Sequence, residues 1–554
     1  MMTDAHAGSH PRVLAAAVFV ALLLLYHLNG DFLPGHDAVP NTHLALQLVH
    51  HGRLTFTPDD APLLFRWELE SKGRWQEGRL DRMDDAVQAL RRAGRLRLLA
   101  PDYYLVPSVD PERLGYVNIY GPVAGLVALP MVALYALGGH ALEQDRAALW
   151  FGAKLTASAC VALSAAVLFL ALLRFVRERD ALVATLAYGV GTCVWSVSSQ
   201  ALWQSTPALL LLTLAAYWSL GAERSARAAA ACGVAAALAA ACRPTGVLVL
   251  AAIGVHLAAA AAIGARREPA RTAVRPAMAY AIAAALVLML FAWHNWHYLG
   301  SPLTFGQVEA GRRVAATKLG IADPWGGSLA EGLLGQLVSP ARGLFVYSPI
   351  LLFALWGACS LWRDPRLRAL RPLAAGVALV VLLQSKWIDW HGGHSFGYRV
   401  LVDVTPLLVL CSVPIVARVR ARPALRVSFF VALAWSIAVQ VIGAYAYDVT
   451  GWNSRIGYRV TRPTDAAPTL LLDRDVAVRL AAEAGTRMEV VSMDVDQRPF
   501  RERLWSIRDN PLAFYAARFG ESRRRKKAMM EAWLRFYAIA DDREAPTVAS
   551  GPAA

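Results

Sequence analysis

The sequence predicts an all-α polytopic membrane protein: a bundle of about 11–13 spanning helices with a long first loop and a small C-terminal region. Three observations predict it. The 554 residues are 56% hydrophobic and 18% charged, whereas soluble domains carry about 25% charge. The apolar residues come in runs such as Pro276 to Phe291, which satisfy their own backbone as helices inside a bilayer. The charges fall between the runs, and Lys and Arg concentrate in every second connection.

Along the chain the runs place spans at 12–28, 149–173, 181–199, 203–220, 227–241, 246–264, 275–293, 343–361, 371–385, 400–417 and 427–445. The first has no small-residue cleavage site behind it and reads as an anchor. Arg174/Arg177/Arg179, Arg224/Arg227, Arg266/Arg267/Arg271/Arg275, Arg363/Arg366/Arg368/Arg371 and Arg418/Arg420/Arg422/Arg426 lie in alternate connections. The bias of short loops toward Lys and Arg marks the cytoplasmic side. It predicts a bacterial inner-membrane protein with a cytoplasmic N-terminus and an outer C-terminal region. Residues 116–138 are apolar enough to span, but a span there would invert every later loop. Pro122 and Pro130 favour a re-entrant or interfacial segment. The net charge of +15 therefore belongs to the cytoplasmic loops and does not point to nucleic acid.

Two soluble regions remain. The first outer loop, 29–115, contains a helix with Leu44, Leu48 and Val49 on one face, capped by Asn41 and expected on the membrane surface. Its middle, RWELESKGRWQEGRLDRMDD, reads as solvated. Residues 1–445 form the transmembrane domain and 446–554 a C-terminal region long enough for a small domain. That region holds the strand-like TRMEVVSMDV and a basic helix containing RRRKK, read as a solvated face or a contact to lipid phosphates. Its last residues, APTVASGPAA, are expected to be disordered. All six cysteines lie in or beside apolar runs, a pattern that suggests neither disulfides nor a CxxC metal site.

Ten of the thirteen histidines fall on the predicted outer face or at its border. Asp31, His36 and Asp37 directly follow the first span. A carboxylate there is placed to take a proton from an acceptor hydroxyl, or simply to shape a turn. In WHGGHSFGYR, 390–399, His391, His394, Tyr398 and Arg399 offer donors for a phosphate or a sugar, and Asp403 is spaced to pair with Arg399. Arg342 in SPARGLFVYSP is a cation at the mouth of a helix, where function competes with snorkelling. Arg243 in CRPTG, Lys154 in FGAKLTASAC and Gln204 in SQALWQSTP read first as turn or snorkelled groups and second as ligands. No GxxxxGK[ST], GxGxxG or HExxH occurs, and no spacing specifies a metal or another cofactor.

From Asp37 to Phe56 the chain reads D-x-x-P-x-x-x-L-x-x-x-L-V-x-x-G-x-L-T-F. This resembles the first outer loop of GT-C-type membrane glycosyltransferases, the protein O-mannosyltransferase and aminoarabinose-transferase group. NIYGPVAGLVALP, GTCVWSVSSQALWQSTPALLLL, RPTGVLVLAA, LGSPLTFGQ, SPARGLFVYSPILL and HGGHSFGYRVLVDVTPLL follow in the order of that group. The resemblance implies a GT-C-like bundle and a polyprenyl-phosphate sugar donor. It also implies an acid of the first outer loop that activates the acceptor. Asp37 occupies that position, with Asp31 the nearby substitute. Arg342 and Arg399 would hold the donor phosphate, with Arg243 or Lys154 assisting. The acceptor would be an envelope glycan, lipid or protein. A transporter or flippase of lipid-linked intermediates would use the same basic residues without a base, and a non-catalytic assembly subunit would make its key contacts through the C-terminal region.

Overall fold

In a computed structural model the described residues run from 11 to 538, apart from 34, 72, 81–82, 141, 143–144, 268, 315, 317–322, 462–470 and 473–486. The chain termini, including APTVASGPAA, lie outside them. Among the described residues six helices are long and apolar enough to cross a membrane: Arg146–Leu172, Ser205–Ala222, Gly246–Gly264, Ala270–Leu299, Pro365–Ser385 and Pro423–Ala446. Arg399–Leu410 and Val413–Ala421 meet the same length and composition only as a pair, bent by 64°, a broken span or a re-entrant loop. Pro11–His27 and Ala226–Cys242, 17 residues each, sit at the lower limit of a span. The protein is an all-α polytopic bundle with small sheets at one end.

Small residues let the helices approach. Ala226–Cys242 buries alanines along most of its length. A Cβ on Gly233 would lie 2.4 Å from the Tyr280 carbonyl oxygen of Ala270–Leu299. Close backbone approach of this kind replaces the hydrophobic drive that a bilayer does not supply.

Ion pairs and ring contacts tie the basic loops together at one end of the bundle. Arg368 meets Glu223, Arg420 meets Asp180, and Arg174 lies over Tyr217. The first loop, the 390–399 loop and the C-terminal region meet at the other end, as the alternation of charge requires.

Three predicted spans are interrupted. The run 181–199 is helical as Glu178–Gly191, turns extended at Thr192, and closes in a π-helical turn, Val194–Ser198. The run 343–361 divides into Leu344–Tyr347 and Leu351–Ser360, and 400–417 contains the 64° bend. One wedge explains the first two. The 390–399 loop folds into the bundle, burying Phe396 and Tyr398. The Tyr398 hydroxyl accepts the Cys193 backbone N–H at 3.1 Å and donates to Ser348 at 2.9 Å. Gly397, at φ +61°, passes where a Cβ would lie 2.7 Å from both Cys193 Sγ and the Tyr347 ring, so only glycine fits.

Residues 116–138 form a strand, Tyr116–Asn118, and two helices, Gly121–Leu126 and Leu129–Leu137. At about 1.5 Å per residue neither helix alone reaches across a core of about 30 Å.

The first loop is more structured than its charge suggested. Thr55–Phe56, Tyr116–Asn118 and Leu105–Pro107 make one antiparallel sheet. Arg74–Gly78, Phe65–Ser71 and Leu96–Pro101 make a second, with Trp67 opposite Gly78 and Leu98. The charged middle supplies two of these three strands: Arg74–Glu77 are exposed, as a solvated segment should be, while Trp67 is buried.

The helix Val39–His51 is buried from Val39 to Gln47 rather than lying on a surface. Asn41 does not cap it. Its side chain donates to the Leu202 carbonyl at 3.0 Å and accepts from Asn118 at 2.8 Å.

Beyond Ala446 the chain contributes Trp452, Val495, Leu504 and Tyr515 to the main core. The helix Phe519–Ala538 sends Met530 into the first-loop core and stacks Trp533 edge-on against Trp150. TRMEVVSMDV forms the strand Arg487–Asp494, paired with Ser454–Thr461.

Candidate functional site

Asp37 sits on a single 3₁₀ turn, His36–Ala38, at the entry to the helix Val39–His51. Its Oδ2 accepts from Arg399 Nη1 at 2.5 Å, with the two side chains 23% and 20% exposed. Arg399 also donates to the Gly392 carbonyl at 2.7 Å and lies 4.7 Å over the Trp203 ring. Asp403, spaced to pair with Arg399, pairs instead with Arg243 at 2.9 Å.

Tyr104 and Tyr120, which the sequence reading had not singled out, hydrogen-bond to Asp37. Burial first, and the neighbouring Asp37 charge second, push both phenols well above their ordinary ionisation range. They are fixed neutral donors. The arrangement is a partly open carboxylate held by one cation and two phenols, at the same end of the bundle as the polar loops.

Asp31 belongs to a separate, closed cluster. It is 1% exposed, and its Oδ1 accepts from Asn29 at 2.7 Å and from Lys526 at 2.9 Å. Lys154 donates to Asn29 Oδ1 at 2.6 Å and to the Asp31 backbone carbonyl. Lys526 also donates to the Ala444 carbonyl at 2.6 Å. Burial lowers the pKa of Lys526, and the Asp31 charge works against that shift. The cluster staples the C-terminal helix to the exit of the first span.

The remaining basic and aromatic residues build walls. Arg342 is 1% exposed. It donates to the carbonyls of His391 at 3.1 Å, Gly393 at 3.0 Å and Ala341 at 2.9 Å, and to Asn453 Oδ1 at 2.7 Å. Its guanidinium thus faces protein oxygens and fixes the backbone of the loop that carries Arg399. Arg243 donates to the Val400 carbonyl at 2.8 Å and supports the same loop from below.

His391 is buried, and its Nδ1 accepts the Gly393 N–H at 3.1 Å. Burial, then the charges of Arg501 and Arg342, hold its pKa well below the usual range. His394 is the opposite case. Burial disfavours its charge, but the hydrogen bond to Asp494 and the charge of Asp496 outweigh that and raise its pKa. Ligand atoms of His394, Asp494 and Asp496 lie within 4.8 Å of one another. That donor set suits a divalent cation, which sequence spacing did not reveal because the aspartates lie about a hundred residues downstream of the histidine.

Gln204 is not at the carboxylate. It faces a neighbouring cavity across Tyr120.

Of the residues singled out in the sequence, the fold brings Asp37 and Arg399 into contact and arranges Arg342, His391, His394, Tyr398 and Arg243 around their loop. Asp31 and Lys154 share the second cluster. Tyr104, Tyr120, Asn29 and Lys526 were missed; Tyr120 stands inside the quoted NIYGPVAGLVALP block, the one signal that pointed near it.

No protein-family model matches the chain, and no curated protein matches it. Among solved structures it is similar to ArnT from Cupriavidus metallidurans bound to undecaprenyl phosphate. The TM-score is 0.43 and the identity 14%, covering 79% of this chain and 75% of that one.

Proposed function

We propose that the protein is a membrane glycosyltransferase. It moves a sugar from a polyprenyl-phosphate donor to a cell-envelope glycan, lipid or protein acceptor on the outer face of the inner membrane. The observation that carries this reading is the Asp37 carboxylate, partly open and held by Arg399, Tyr104 and Tyr120. The polyprenyl donor follows from the ordered blocks that resemble GT-C enzymes.

In this mechanism Asp37 takes the proton of the acceptor hydroxyl. The acceptor oxygen bonds to the anomeric carbon as the bond from that carbon to the phosphate oxygen breaks. The electron pair leaves with the phosphate, giving glycosylated acceptor, polyprenyl phosphate and inversion at the sugar. Arg399 links the two halves. In the resting pair its guanidinium occupies Asp37 Oδ2. An incoming phosphate competes for the same guanidinium, stabilises the leaving group and returns the carboxylate to the acceptor. Arg342 and Arg243 act on the phosphate through the loop they fix, and Lys154 through the Asn29–Asp31 exit of the first span.

Arg399→Lys keeps the charge and loses the planar fork that spans Asp37 and Gly392. The expected result is a donor KM raised about tenfold or more, read with purified protein and a synthetic polyprenyl-phosphate sugar. An unchanged KM would remove Arg399 from the donor site.

The facing is tested by labelling. In a variant lacking the six native cysteines, Gln76→Cys in the first loop should react with an impermeant maleimide applied to spheroplasts. Arg366→Cys in a basic loop should react only after lysis. Both positions are exposed. The reverse pattern would move the site to the cytoplasmic face.

A further inference from the structure

Among the described residues one group of histidine and acidic side chains closes to metal-ligating distance: His394, Asp494 and Asp496. It shares no residue with the Asp37 constellation. His394 comes from the loop that folds into the bundle, and the two aspartates stand where the strand Arg487–Asp494 ends. His394 Nε2 lies 3.0 Å from Asp494 Oδ1 and 3.9 Å from Asp496 Oδ2. Two atoms bound to one zinc ion at about 2.0–2.2 Å stand roughly 3.4 Å apart in a tetrahedron. The two separations bracket that value, so small rotations of the carboxylates bring all three atoms to one ion. Ser454 Oγ, 3.3 Å from His394 Nε2 and 3.5 Å from Asp494 Oδ2, stands on a further side.

The backbone is shaped for this meeting. Gly393 has φ +63°, and a Cβ there would lie 3.2 Å from Asp496 Oδ1. A side chain would be strained at that φ and would crowd the carboxylate. Arg342 fixes the same stretch through the Gly393 carbonyl and joins it to Asn453, the residue before Ser454. The cluster therefore lies on a seam that is already held from one side.

The donor set narrows the occupant. A proton on the imidazole answers one of the two carboxylate charges. A divalent cation answers both and leaves the imidazole neutral, with a lone pair to ligate. One imidazole with two carboxylates suits zinc or manganese, whereas calcium and magnesium take oxygen ligands. Of the first two, zinc binds such sites more tightly.

We propose that His394, Asp494 and Asp496 bind one zinc ion, which clamps the C-terminal region to the loop carrying Arg399. The ion acts by position. It holds the loop beside Gly392, whose carbonyl accepts from Arg399 at 2.7 Å. The proposal does not depend on the transferase reading, and its failure leaves that reading as it was.

The test uses the full chain in nanodiscs, stripped with EDTA and dialysed free of chelator. Zinc chloride is titrated in competition with a chromophoric chelator, and manganese and magnesium chlorides in separate runs. The wild type is expected to take up one tightly bound zinc per chain, more tightly than manganese and far more tightly than magnesium. Its melting temperature should rise with free zinc. Asp496→Asn keeps the size of the side chain and removes the charged ligand. Loss of a partner behind the ligands already costs about 10–100-fold in metal affinity, so loss of a ligand should weaken zinc at least about a hundredfold. The zinc-dependent rise in melting should vanish with it. His394→Gln is the second variant should Asp496→Asn fold poorly. Zinc held equally tightly by the wild type and by both folded variants would place the ion at other ligands and overturn the site. A wild type that takes up no zinc, or magnesium as tightly as zinc, would also overturn it, leaving the cluster as an ion pair between His394 and Asp494.

Discussion

The Asp37→Asn protein is expected to insert, fold and bind the lipid donor, and to transfer sugar at least about a hundredfold more slowly. Asparagine keeps the size of the side chain and an oxygen that still accepts from Arg399 and the two phenols. It cannot take a proton. The loss should fall on kcat more than on donor KM, because the carboxylate acts in the transition state while Arg399, which binds the phosphate, is retained. Asp31→Asn is the matched control. Asp31 is 1% exposed and wholly engaged by Asn29 and Lys526, so its change should appear as lost stability with activity per folded molecule nearly intact. Transfer assayed at equal membrane expression separates the two. A well-expressed Asp37→Asn protein with wild-type turnover would exclude the base role and favour a transporter or an assembly subunit, neither of which needs one.

The bundle was legible because spans are local. A run of about 20 apolar residues declares itself without reference to the rest of the chain, and the alternation of arginine-rich loops is kept in the ends of the folded helices. The interruptions were not legible. The break after Gly191 is made by Tyr398 and Gly397, two hundred residues downstream, and nothing in ALVATLAYGVGTCVWSVSS signals their arrival. Asp37 was legible as a carboxylate at the end of the first span. Its partner lies 362 residues away, and helical spacing assigned that partner to Asp403. Four residues along an α-helix return to the same side, but Arg399–Val404 is a 3₁₀ turn. At three residues per turn the two positions diverge by about 120°. Arg399 is therefore left for Asp37 and Asp403 for Arg243.

The basic run of the C-terminal helix shows the same limit. RRRKK reads as five solvated cations. Arg523, Arg524, Arg525 and Lys527 are exposed, but Ser522, Lys526 and Met530, four apart, form the buried stripe. A lysine in an apolar stripe was the visible trace of an internal ion pair.

That pair carries the largest expected effect on stability. Lys526 is fully buried, and its ammonium bridges Asp31 Oδ1 at 2.9 Å and the Ala444 carbonyl at 2.6 Å. Replacing one partner of a buried pair strands the other charge, at a cost of about 3–5 kcal/mol. Lys526→Met fills much the same volume and leaves Asp31 with Asn29 and no cation on its carboxylate, since Lys154 reaches only the Asp31 backbone carbonyl and Asn29. The C-terminal helix should then detach from the exit of the first span, exposing the Trp533–Trp150 contact. Thermal inactivation in detergent is expected to be faster by orders of magnitude, with enhanced proteolysis between Ala517 and Ala538. The double variant Asp31→Asn/Lys526→Met removes both charges together, and asparagine still accepts from Asn29. It should recover much of the loss, because deleting a whole buried pair costs far less than halving it. Equal half-lives for wild type and Lys526→Met would mean that water already screens the pair. Equal loss in the single and double variants would mean that the packing of the lysine stem, not its charge, holds the helix in place.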